Sequence, residues 1–175
     1  MITSDLPLVE EILSDWRLAL AQDYTPYRNH VYRVVHFCRQ FMPLDELRDQ
    51  QVQVAACFHD LGIWSDNTFD YLEPSARRAS DYLIHTQRSD WIVPVCAMIE
   101  DHHKITASPD PLTNAFRKAD WVDVTLGQLR FGLPRERVAE IRQAFPNAGF
   151  HRLLVRLSCK QLLTRPWSPL PMMRW

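Results

Sequence analysis

The chain has 175 residues, of which 46% are hydrophobic, and a formal net charge of -1; this suits one compact domain over residues 1–175 with a sizeable core and argues against a second. Twenty basic and twenty-one acidic residues, spread along the chain, give no electrostatic footprint for general nucleic-acid binding or for an anionic membrane. No stretch approaches about eighteen apolar residues, and Met1 to Leu6 lacks a basic segment leading into an apolar one, so the expected compartment is the cytoplasm.

The recurrent signal along the chain is helical spacing. Ser4 or Asp5 is a candidate cap, with Pro7 in the first turn, for a helix carrying Leu8, Ile12, Leu13, Trp16 and Leu20. Pro26 opens a second helix, inward through Val31, Val34, Val35, Phe37, Cys38 and Phe41, which Pro43 ends. A third is expected from about Asp45 or Leu47 to Leu61, with Gly62 as its stop. The polar and aromatic stretch Trp64 to Leu72 reads as a loop, and Pro74 then starts a helix to about Thr86. Further helices fit Trp91 to Lys104, Leu112 to Leu126, Arg135 to Phe145 and His151 to Leu163. No strand alternation competes, so the expected fold is all-α, a compact bundle of about seven helices. Cys38, Cys57, Cys96 and Cys159 form no Cys-x-x-Cys pair and are expected as reduced, buried thiols. The tail from Pro166 to Trp175 is too rich in proline to extend the last helix; its Trp and Met residues need cover, from the domain itself or from a homodimer contact.

Against this background His59-Asp60 stands out, two hard metal ligands closing the mostly apolar run Val52 to Phe58. Seven His and fourteen Asp predict about half of one such adjacent pair by chance, so the pair gains meaning from its company. Asn29-His30-Val31 lies upstream, and Glu100-Asp101-His102-His103-Lys104 and Arg117-Lys118-Ala119-Asp120 lie downstream, each on a helical segment.

The ordered set His30, His59-Asp60 and Asp120, on separate helices, resembles the HD-domain superfamily of metal-dependent phosphohydrolases over residues 26 to 127, with residues 135 to 175 as C-terminal helices and tail. The resemblance implies that His30, His59, Asp60 and Asp120 bind one divalent ion. Two imidazoles with two carboxylates suit Mn, Fe, Co, Ni, Mg or Zn, and such an ion activates a water for attack on phosphorus. A second ion, as in some members, would draw on His102 or His103. The other extra histidine would fall near residues 71 to 76, where this chain has Tyr71 and Glu73 instead; one ion is therefore expected rather than two.

The spacing offers Arg33, Arg117 and Lys104 as contacts for phosphate or for an anionic leaving group; Arg33 and Arg117 read equally as partners of the carboxylates or as ordinary surface charges, and Lys104 as a solvated charge near a helix end. Glu100, Asp101, His102 and His103 are the candidates to accept a proton or to hold a histidine tautomer. Asp123 shares almost the same helical face as Asp120 and is read as its supporting or capping neighbour. His36, His85 and His151 are read as structural, and Trp64, Phe69 and Tyr71 as pocket walls or as a lid packed on the core. The expected function is hydrolysis of a small phosphoester, such as a nucleotide. The competing readings are a di-iron oxygenase or a hydratase or lyase on the same fold, and a non-catalytic metal- or nucleotide-binding module.

Overall fold

Helix α1 runs over Pro7–Asp15 and α2 over Arg17–Leu20 in the computed structural model, which describes residues 2–168 and 171–173. The expected first helix is therefore broken at Trp16, and its N-cap is Leu6 with no side-chain cap, so neither Ser4 nor Asp5 closes it. Helix α3, Tyr24–Phe41, is followed by α4, Glu46–Phe58. Asp45 caps α4 by accepting the Arg48 N–H at 2.8 Å, a contact of about 1 kcal/mol. Single-turn α5, Gly62–Ser65, precedes α6, Leu72–His85, and α7, Ile92–Asp101. Asp110 caps α8, Pro111–Val124, through the Thr113 N–H at 2.7 Å. Helices α9, Arg135–Ala144, and α10, Phe150–Thr164, complete the chain. The fold is all-α, with eight helices of nine residues or more and no strand among the described residues.

Helix α3 is the axle. It packs chiefly on α8 and α4, with α9 and α10 closing further sides. Residues 29 to 38 are all buried, including Asn29, His30, Arg33 and His36, so the helix is enclosed around its whole circumference rather than along one stripe. A helix enclosed in this way must find partners inside the protein for every polar side chain it carries.

Gly62 does not stop α4 with a left-handed turn; it opens α5. A Cβ there would lie 2.8 Å from the Tyr71 carbonyl oxygen and 3.1 Å from Pro74 Cβ and Ser75 Oγ, while its N–H donates to Ser75 Oγ at 3.0 Å. The absent side chain lets the start of α6 close against the end of α4. Of the thiols, Cys38 and Cys57 are buried, but Cys159 is exposed on α10, because α10 covers the bundle on one face only. The tail packs back at Met172, which is buried against Ile63, Tyr71 and Leu72; Trp167 is 81% exposed, and Pro169, Leu170, Arg174 and Trp175 lie outside the described residues. Among the described residues no helix is long and apolar enough to cross a membrane.

Candidate metal centre

Four helices bring together six side chains of types able to ligate a metal. His30 comes from the interior of α3, His59 and Asp60 from the end of α4, His102 and His103 from the end of α7, and Asp120 from α8. His30, His59, His102 and Asp120 have no exposed surface, and Asp60 is 3% exposed.

The distances fall into two sets. In the first, His30 Nε2 and His59 Nε2 are 2.9 Å apart. Asp60 Oδ2 lies 3.6 and 3.5 Å from these two nitrogens, and Asp120 Oδ1 lies 3.6 and 3.7 Å from them. In the second, His102 Nε2 faces Asp60 Oδ1 at 3.4 Å and His103 Nδ1 faces Asp120 Oδ2 at 3.7 Å. His30, His59 and Asp60 form one cluster able to hold a metal ion, and Asp60, His102 and His103 form another. A divalent ion with bonds near 2.1 Å separates neighbouring ligands by about 3.0–3.4 Å, close to these spacings. Each carboxylate turns one oxygen to each set.

The tautomers follow from what the other ring nitrogens touch. His30 Nδ1–H donates to Asp123 Oδ2 at 2.7 Å, His59 Nδ1–H to the Ala56 carbonyl at 2.8 Å, and His102 Nδ1–H to the Ile99 carbonyl at 2.6 Å. In its neutral form each of the three therefore presents a bare Nε2 to the centre, the arrangement that metal-binding histidines need. His103 is turned the other way, its Nε2 sharing a 2.6 Å hydrogen bond with the Tyr71 hydroxyl. Phe150 at the start of α10 stacks on His30, with ring centroids 4.1 Å apart, and covers that side of the cluster.

The charge balance calls for a cation. Asp123 is neutralised by Arg33, which grips it with two bonds of 2.6 and 2.8 Å, whereas Asp60 and Asp120 pair with histidines and with no arginine or lysine. Asp60 Oδ1, both Asp120 oxygens and His102 Nε2 are buried without a hydrogen-bond partner, a costly condition unless something binds them. Without metal, burial opposes charge on His30, but the hydrogen bonds to Asp123 and Asp60 and the surrounding carboxylates outweigh it and lift its pKa to about 9. Burial likewise opposes ionisation of Asp60 and Asp120, yet the histidines hold both below the usual carboxylate range. The donor set fits a divalent ion.

Other sequence candidates lie elsewhere. Arg33 does not reach out to a phosphate: it is 1% exposed and bound to Asp123 and the Phe145 carbonyl. Arg117 holds Asn114 Oδ1 and the Lys104 carbonyl, pinning the loop after α7. Lys104 pairs with Asp101 at 2.8 Å. Glu100 and Glu73 are exposed, because both fall on helix faces turned from the cluster, so neither joins the ligands. The role of Tyr71 had no local signal, since its partner His103 is 32 residues away. Asp123 had one, its spacing from Asp120, but not the Arg33 that anchors it.

Comparison with protein-family models, with curated proteins and with solved structures returns no match.

Proposed function

We propose that this protein is a metal-dependent phosphohydrolase of the HD-domain type, acting on a small phosphoester. The observation that carries the reading is the pair of ligand sets meeting at Asp60, one from α3 and α4 and the other from α7. His30, His59, Asp60 and Asp120 would hold one ion, and His102 and His103 a second against the free oxygens of the same carboxylates. Two positions are therefore preferred to the single ion that the motif alone suggests. A bound divalent ion supplies Lewis acidity, acidifying water and polarising a phosphoryl oxygen.

The chain supplies the rest. Asp123 and two backbone carbonyls fix the histidine tautomers before substrate arrives, so little reorganisation is needed during reaction. Asp60 and Asp120 have lone pairs left to orient a water and accept its proton. Burial and the nearby Asp60 and Asp120 charges hold the Tyr71 hydroxyl protonated, so it can hydrogen-bond a phosphoryl oxygen. Solvent meets the cluster at His103, whose side chain is 14% exposed, and substrate approach is assigned to that side.

The test is elemental analysis of wild-type protein and Asp60→Asn, with phosphate release from p-nitrophenyl phosphate and from nucleoside monophosphates. Metal-dependent release lost in Asp60→Asn supports the reading. Two iron atoms per chain, with oxygen uptake and no phosphate release, would move the assignment to a di-iron oxygenase, which the second ligand set also accommodates.

A further inference from the structure

The charge of this chain is unevenly placed. After Glu140 there is no acidic residue, while Arg142, Arg152, Arg156, Lys160, Arg165 and Arg174 follow. Within α10, Arg152, Arg156 and Lys160 recur every four residues, which sets them on one side of the helix at steps of about 6 Å. All three, and Arg165 beyond them, are exposed, and none joins an ion pair among the described residues.

These residues line a groove. Three pockets of about 330, 370 and 300 Å³ follow one another along α10, the first two sharing Asp23, Leu153 and Arg156 and the last two sharing Ile63, Asn67, Leu157 and Lys160. Arg152 and Arg156 line the first, Arg156 and Lys160 the second, Lys160 and Arg165 the third, so each section has cations on its α10 wall. The opposite wall offers Trp64 and Phe69 with the polar side chains of Asn67 and Thr68; Asp23 and Asp70 also face the groove and reduce its charge without cancelling it. One end lies at Gly149, next to the Phe150 that covers His30. The other reaches Phe69, whose ring is 6.2 Å from that of Tyr71, the partner of His103.

We propose that this groove binds a short single-stranded oligonucleotide, with Arg152, Arg156, Lys160 and Arg165 tracking successive phosphates and Trp64 and Phe69 offering faces to bases. A cationic groove with interleaved aromatics is how single strands are held without sequence preference, and the groove, about 22 Å along α10, exceeds what one phosphate monoester needs. The near-neutral net charge hides this surface, because the acidic excess lies in the first 140 residues. Binding stands independently of hydrolysis; only the fate of the bound strand rests on the phosphohydrolase reading.

The test is fluorescence anisotropy of a fluorescein-labelled hexathymidylate with the intact chain. Arg156→Gln/Lys160→Gln should bind at least tenfold more weakly than wild type, and the slope of log affinity against log salt should fall by about 1.4, at about 0.7 per phosphate contact. Arg130→Gln/Arg135→Gln, away from the groove, should stay within twofold, and Asp60→Ala, without its metal, should still bind. Unchanged affinity in the groove variant overturns the proposal. So does displacement of the hexamer by an equal phosphate concentration of tripolyphosphate, or binding to phosphatidylserine vesicles with none to the hexamer. If the hexamer binds but wild-type enzyme releases no phosphate from p-nitrophenyl phosphate, the hydrolase reading fails and the groove stands.

Discussion

Replacing Arg33 by Met would keep the bulk of the side chain and remove its charge, leaving Asp123 buried with His30 as its remaining charged neighbour. Arg33 donates to both Asp123 oxygens and to the Phe145 carbonyl at 2.9 Å, and both partners are inaccessible or nearly so. Stranding one partner of a buried pair costs about 3–5 kcal/mol. His30, already protonated in the metal-free protein and hydrogen-bonded to Asp123, still neutralises part of that charge, so the lower end, about 3 kcal/mol, is expected. In a chain of this size it lowers the melting temperature by about 6–12 °C. Urea unfolding in a chelator measures this without metal linkage. The double variant Arg33→Met/Asp123→Asn should be less destabilised than the sum of its single variants, since it strands no charge. Metal affinity of Arg33→Met should also fall about 10–100-fold, because Asp123, released by Arg33, positions the His30 ring less firmly. A stability loss below about 1 kcal/mol with unchanged metal affinity would mean that Arg33 does not hold Asp123 in place and would return Arg33 to the phosphate role its spacing suggested.

Gly62→Ala should cost about 1–3 kcal/mol by denaturant titration, because the Tyr71 carbonyl, 2.8 Å from the new Cβ, must move; Gly62→Ala at wild-type stability would show that this close approach relaxes freely. Tyr71→Phe should keep the fold by circular dichroism but weaken the His102/His103 position, lowering metal content towards one ion per chain as read by elemental analysis. Burial, with Arg39 and Arg137 nearby, pushes His36 down to about 4 against the pull of the Thr3 carbonyl. The unfolded chain therefore takes up this proton near pH 6.5 and the folded one only near pH 4. Its stabilising contribution is complete above about pH 6.5 and is lost by about 1–2 kcal/mol as pH falls towards 4. His36→Gln should flatten that part of the stability profile, measured on metal-free protein.

Much of this was legible in the chain itself. Helical spacing and the break at Pro43 are local properties, decided within a few residues, so the all-α architecture follows from them; the caps at Asp45 and Asp110 and the end of α7 at Asp101, short of the expected Lys104, came only with the structure. His59-Asp60 was conspicuous for a related reason, because hard ligands seldom end an apolar run without a partner. The partners are another matter. Arg33 meets Asp123 from 90 residues away, Tyr71 meets His103, and the two oxygens of Asp60 face histidines from three helices. No spacing rule encodes which way a buried carboxylate turns its oxygens, so whether the motif offers one ion position or two, and whether an arginine serves a phosphate or an aspartate, was decided only when α3, α4, α7 and α8 packed together. The same holds for the cationic groove: Arg152, Arg156 and Lys160 are an ordinary solvated helix edge until α10 is laid beside Trp64 and Phe69.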